Sequence, residues 1–262
     1  MQGLLSVSFG TVDEGAYARS IGAIEEALST AFPERQLYSA WTSAFVAARV
    51  QAETGAHHDT LAEAFARLSA DGVDDLLIST TCLTQGRAMD KVDAAAAAWV
   101  NEGSARTAHL TSPLLANEAD RRMVAQTVCS AFADVAEPEV VLLMGHGVAG
   151  SHNEMYRQMQ DALTAVDVPR VLLALVEGSP GFDEALARVE KLRPTCVHLA
   201  PFMMVAGGHV HVSLVGDAPD SWKSQLEARG MKTHAVLRGL GEYAEIRNLV
   251  VRHARSVCSS GR

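Results

Sequence analysis

The stretch Leu142–Gly150, LLMGHGVAG, is an apolar run that ends on a glycine, one histidine and a second glycine. A continuous apolar run of this length reads as a strand buried on both faces, and glycines directly after it mark the turn of a parallel βα unit. An earlier stretch answers it: LLSVSFGT (Leu4–Thr11) has the form of VLLMGHGV (Val141–Val148). A second pair, DDLLISTTCLTQG (Asp74–Gly86) and TCVHLAPFMMVAGG (Thr195–Gly208), repeats the relation further along.

Outward from these anchors the chain alternates short strands with helices. Strands are expected at Leu4–Ser8, Gln36–Trp41, Leu76–Thr81 and His109–Ser112, then again at Val140–Met144, Arg170–Val176, Cys196–Pro201 and Thr233–Leu237. Helical spacing places Tyr17, Ile21, Ile24 and Leu28 on one face after Asp13 as N-cap, and Thr60 with Glu63 has the form of a capping box. The helix through Met123 and Phe132 is expected to close the first half, and the helix through Ile246, Val250 and Val257 the second. Two successive βαβαβαβα units imply two similar doubly wound parallel-sheet α/β domains, 1–137 and 138–262, divided near Glu137-Pro138.

Composition narrows the function. At 262 residues with 48% hydrophobic and 20% charged residues, the chain can bury one large or two small cores, which excludes a disordered tail. A net charge of −9 with no Lys/Arg run argues against nucleic-acid and membrane partners, since both need a basic patch. Cys82, Cys129, Cys196 and Cys258 are scattered and read as reduced thiols. With no basic n-region before Gly10 and no long apolar run, a cytoplasmic protein is expected. The Ala-rich helical surfaces leave a homo-oligomer open. No phosphate-binding glycine motif is complete, so neither ATP nor NAD is implied.

Parallel sheets bind ligands beyond the carboxyl ends of their strands. His146 falls at the end of the second half's first strand, Glu177 at the end of its second, and His209 a few residues after its third. The corresponding places in the first half hold Phe9, Thr42 or Ser43, and Gln85 or Gly86, so the fold does not itself demand metal-binding side chains there. Two imidazoles and a carboxylate suit Co²⁺, Fe²⁺, Ni²⁺ or Zn²⁺ with coordination positions left open. Against this, a histidine between glycines is often a turn residue, Glu177 has the look of a helix N-terminal carboxylate, and His57-His58 reads as an exposed pair.

The segments MGHG (Met144–Gly147), VEGSP (Val176–Pro180), PFMMVAGGH (Pro201–His209), DSWK (Asp220–Lys223) and GLGEYAEIR (Gly239–Arg247) occur in an order that resembles the anaerobic cobalt chelatases, sirohydrochlorin cobaltochelatases of the class II chelatase superfamily. SFGT (Ser8–Thr11) and WTS (Trp41–Ser43) resemble the same family's first half. The resemblance implies ATP-independent insertion of Co²⁺ into a reduced tetrapyrrole during cobalamin synthesis, in a cleft between two similar domains. It carries metal binding onto His146, Glu177 and His209, with the two histidines catalytic. The metal is a substrate, and no permanent cofactor is implied. Two departures stand out: Gly208 replaces a frequent Asp, and TQGRAMD (Thr84–Asp90) offers only Asp90 where the family tends to place an acid.

Insertion requires the ion to shed water and two pyrrole N–H protons to leave. Neutral imidazoles at His146 and His209 suit both tasks, with Glu177 offsetting charge or relaying protons, so activity is expected to fall below roughly pH 6 to 7. The polycarboxylate substrate would meet backbone N–H groups and helix N-termini in the loops that hold Ser8, Gly10, Thr11, Thr42, Ser43 and Gly147, with Arg87 adding positive charge. Fe²⁺ insertion by a sirohydrochlorin ferrochelatase, a 2-His-1-carboxylate oxygenase that keeps its iron, and a non-enzymatic metal or tetrapyrrole carrier are the other readings.

Overall fold

The computed structural model describes residues 1–103, 106–147, 153–166, 170–208 and 210–259. The chain forms two compact units, one of Met1–Ala116 with Ala244–Arg262, the other of Asn117–Tyr243.

The first unit opens with β1 (Gln2–Ser8), after which Asp13 caps α1 (Glu14–Tyr17) by accepting from the Ala16 N–H. A π-helical turn, Ala18–Gly22, carries α1 into α2 (Ala23–Ala31). There follow β2 (Gln36–Trp41), α3 (Ala44–Thr54), α4 (Leu61–Ala70), β3 (Asp75–Thr80), α5 (Arg87–Asn101) and β4 (Thr107–Leu110). The capping box at the start of α4 is present in both directions, Thr60 Oγ1 accepting from the Glu63 N–H and Glu63 accepting from the Thr60 N–H. The four strands are parallel in the order β2-β1-β3-β4.

The second unit begins with α6 (Glu118–Ala131) and repeats the plan with β5 (Val140–Gly147), α7 (Glu154–Ala165), β6 (Val171–Glu177), α8 (Phe182–Leu192) and β7 (Val197–Phe202). A π-helical turn at Val210–Leu214 precedes α9 (Trp222–Glu227) and β8 (Thr233–Ala235). Its parallel order, β6-β5-β7-β8, is that of the first unit. The last helix, α10 (Ala244–Ser259), returns to the first unit and packs on α2 and β3.

Both central strands are buried on two faces, as their apolar runs require. On one face of the second sheet Val140, Leu142 and Met144 pack with Leu186 and Val189 of α8, Trp222 and Leu226 of α9, and Val210 and Leu214. In the first unit Leu5 and Val7 occupy the same places against Phe65 and Leu68 of α4 and Val92 and Trp99 of α5. Each such fully buried side chain contributes about 1.5–3 kcal/mol, so the strand runs hold the sheets and the strand ends are left to serve other purposes.

The division expected at 137/138 does separate the two sheets, but the packed units differ from it at the terminal helices. α6, expected to close the first half, packs on α7 in the second unit, and α10 serves the first. An amphipathic pattern records that a helix has a buried face; it does not record which sheet that face covers.

Candidate functional site

His146 is the penultimate residue of β5 and is half-buried. Its place follows from strand alternation, which puts it on the same side as Leu142 and Met144, the side covered by α8 and the turn after β7. Its Nδ1 lies 3.1 Å from the Gly147 carbonyl oxygen. A carbonyl only accepts, so Nδ1 carries a proton, as the second nitrogen of a metal-binding histidine does.

The glycines on either side both make room, Gly147 the more strictly. Gly147 has φ +80°, and a Cβ there would lie 1.9 Å from the Glu177 carbonyl oxygen. At Gly145 a Cβ would meet Leu175 at 2.8 Å and the Tyr156 ring of α7 at 3.3 Å. The two glycines therefore let β5 and β6 close tightly right up to their carboxyl ends, and His146 is fixed where they end.

Glu177 is the last residue of β6, exposed, and in register with Gly147. It is not a helix N-terminal carboxylate, since α8 starts at Phe182 with Gly181 as its cap. Alternation assigns it to the side of Leu173 and Leu175, opposite His146. The structure thus brings His146 and Glu177 to neighbouring strand ends but to different faces of the sheet. His209 lies outside the described residues. Val210, which follows it, is buried in the same cluster as Met144. In the order β6-β5-β7-β8 the direction of winding reverses between β5 and β7, so His146 and the segment after β7 flank the topological switch point, where open α/β sheets hold ligands.

The anion-binding positions expected in the first unit sit at the carboxyl edge of its sheet. Ser8 and Thr42 are buried, the Thr42 N–H donates to the Ser8 carbonyl over 2.8 Å, and neither hydroxyl has a hydrogen-bond partner among the described residues. Burying such a group without a partner costs about 1–3 kcal/mol. Gly10 has φ +93° and lies against Trp41, whose ring a Cβ would approach to 2.4 Å. Thr11 accepts from the Asp13 N–H, and Ser43 caps α3 by accepting from the Val46 N–H, so both oxygens already serve the local backbone. Arg87 opens α5, exposed. Asp90 accepts from Gln85 Nε2 at 2.9 Å.

Among the described residues, one group of three such side chains is close enough to hold an ion, and it is not at the strand ends: His57, Asp59 and Glu63. Arg67 already forms a two-pronged ion pair with Asp59, and Glu63 is spent on the Thr60 cap, which makes this a structural charge network. His58 is not the exposed neighbour expected from sequence, for its ring stacks on Trp41 at 3.8 Å. Sequence reading missed it because the stacking partner lies on another strand. Burial pushes the thiols of Cys82, Cys129 and Cys196 up, Cys129 to about 11, so they stay protonated.

A four-stranded parallel sheet used twice, with a glycine-flanked imidazole at the switch point of one copy, makes this an α/β protein of two repeated units with a candidate metal ligand at one strand end. Residues 2–259 match the family model of the cobalt chelatase CbiK, and the chain belongs to that family. Sirohydrochlorin cobaltochelatase of Salmonella typhimurium is 30% identical over 255 residues, spanning 95% of this chain and 94% of the relative. Sirohydrochlorin cobaltochelatase CbiKC of Nitratidesulfovibrio vulgaris is 25% identical over 260 residues, spanning 99% and 91%. The fold is shared with the sirohydrochlorin chelatase SirB from Bacillus subtilis subspecies spizizenii, solved in complex with cobalt, at a TM-score of 0.66 and 13% identity over 99% of this chain and 96% of that one.

Proposed function

We propose that this chain inserts Co²⁺ into sirohydrochlorin without ATP, as a step of cobalamin synthesis. The observation that carries this reading is the placement of His146 at the end of the central strand with its Nδ1–H on the Gly147 carbonyl, the tautomer in which Nε2 can serve as a ligand. Membership of the cobalt chelatase family and relatives named for this reaction support the choice of metal and macrocycle.

In this reading the ion exchanges water for the imidazoles of His146 and His209. As cobalt passes to the pyrrole nitrogens, the two ring protons must leave; a released imidazole accepts one, and Glu177, exposed at the end of β6, passes protons on to solvent. Turnover then needs metal binding weak enough for release, which a site with few protein ligands at a strand end provides better than a closed four-ligand site.

The test is an anaerobic visible-spectrum assay with sirohydrochlorin and Co²⁺, no nucleotide, and His146→Ala and His209→Ala alongside. Insertion well above the protein-free rate, reduced at least ~100-fold by either substitution, is expected from the loss of a direct metal ligand. Spectral change by binding alone would favour a carrier, and a consistently faster rate with Fe²⁺ would favour ferrochelatase.

A further inference from the structure

β6 is an edge strand of the second sheet, and its sequence, VLLALVE, carries no charge before Glu177. The Val141 N–H donates to the Arg170 carbonyl over 2.9 Å, which fixes the parity of the parallel ladder. Even-numbered residues of β6 bond to β5, so Val171, Leu173 and Leu175 turn their backbone N–H and C=O groups to the open side. An apolar edge that shows such groups is a template for another strand.

Here the edge is covered by the chain's own groups. Gln160 of α7 lays its amide along β6: Nε2 donates to the Val171 carbonyl over 3.0 Å, and Oε1 accepts from the Leu173 N–H over 2.7 Å. These are the two bonds that one residue of a parallel neighbour opposite Leu172 would make. Nε2 also donates to Thr164 Oγ1, and the Thr164 hydroxyl donates to the Gln160 carbonyl, which holds the amide against its own helix. Further along, the Leu175 N–H donates to the Pro180 carbonyl over 2.8 Å, and Gly181 forms a parallel bridge with Leu175.

The repeat shows which part of this cover belongs to the fold. In the first unit the Trp41 N–H donates to the Asp59 carbonyl and Trp41 bridges Thr60. Ser8 pairs with Trp41 as Gly145 pairs with Leu175, so the loop cover is common to both copies. The counterpart of Gln160 is Glu25, each following a buried residue of its helix, Met159 or Ile24. Glu25 accepts from side-chain hydroxyls, those of Ser39 and Tyr17. An ionised carboxylate cannot donate to an edge carbonyl, so the amide that mimics a strand is particular to the second unit.

We propose that the β6 edge is a self-pairing surface for the same edge of a second copy of this chain, and that the Gln160 amide is the guard that keeps it closed. A second β6 is the fitting occupant, since it brings an equally apolar strand without proline, and a twofold axis would pair the two strands antiparallel into one continuous sheet. Neither the metal nor the tetrapyrrole enters this role.

The experiment compares wild type with Gln160→Ala, Gln160→Asn and Gln160→Glu by sedimentation velocity over a wide concentration range, with hydrogen exchange followed at single amides. Asparagine is too short to span both backbone groups, whereas glutamate still accepts from the Leu173 N–H and sets a charge on the edge, which blocks strand pairing. The alanine and asparagine variants are expected to exchange the Leu173 amide about fivefold faster when dilute, and to self-associate on concentration with that amide protected again. The glutamate variant is expected to keep the wild-type assembly state, although it loses the bond to the Val171 carbonyl. Protection of the Leu142 and Leu143 amides in β5 reports that the sheet is intact; if Gln160→Ala loses it, the contrast between Gln160→Asn and Gln160→Glu still decides. No added association in the alanine and asparagine variants, equal association in the glutamate variant, or association that leaves the Leu173 amide fast would each overturn the proposal.

Discussion

Gly147 shows how a single residue serves both fold and site. Its φ of +80° is matched by Gly55, at +78°, but a Cβ at Gly55 meets nothing within 4 Å whereas one at Gly147 runs into the Glu177 carbonyl. The two therefore separate backbone strain from collision. Gly55→Ala is expected to cost about 1–2 kcal/mol, the left-handed penalty alone. Gly147→Ala is expected to cost roughly 3 kcal/mol or more and to disorder the end of β5, because the obstructing atom is backbone and cannot swing aside. Urea unfolding of the two variants checks the difference, and equal losses would mean the strand ends are less tightly joined than described. The glycines around His146 were legible in the sequence as a turn; that they permit two strand ends to close on each other was not, because the Glu177 carbonyl comes from another strand.

At the scale of elements, the capped helices and apolar strands were readable because their signals are local. Asp13 and the Thr60/Glu63 pair cap the helices expected of them, and Gln36–Trp41 forms a strand with the expected bounds. α3 escaped notice because it buries only Ala47 and Val50, too thin a stripe for helical periodicity; Ser43 before it and the left-handed Gly55 after it were the available signals. A second hidden feature lies under α2. Glu25 is buried and accepts from the hydroxyls of Tyr17 and Ser39, one on its own helical segment and one on β2. Burial raises its carboxyl above the ordinary value of 4.5, with the two hydrogen bonds opposing. A carboxyl raised in the folded state adds stability that is fully present below the unfolded value and lost as pH rises through the folded one. Glu25→Gln is therefore expected to melt higher than wild type at pH 8, with the gap narrowing as pH falls toward 4.5. A gap that stays constant across that range would show that Glu25 is not charged at neutral pH at a cost to the fold.

For the whole molecule, the repeat was visible in sequence because the same apolar runs and glycine turns recur, and the identical strand orders β2-β1-β3-β4 and β6-β5-β7-β8 reflect it. The exchange of terminal helices was invisible, since α6 and α10 carry similar amphipathic patterns and only packing decides that one covers the second unit and the other the first. The candidate metal ligands were suggested by chemistry, two imidazoles and a carboxylate after successive strands, but alternation within the sheet, which sets His146 and Glu177 on different faces, emerges only once register is known. On the proposed reading, one copy of a common fold has specialised at its strand ends for metal. The most direct measurement is anomalous diffraction at the cobalt edge from crystals soaked in Co²⁺. A cobalt peak within bonding distance of His146 Nε2, about 2.0–2.2 Å, is the expected result; ordered cobalt found only at His57, Asp59 and Glu63, with none at His146, would contradict it.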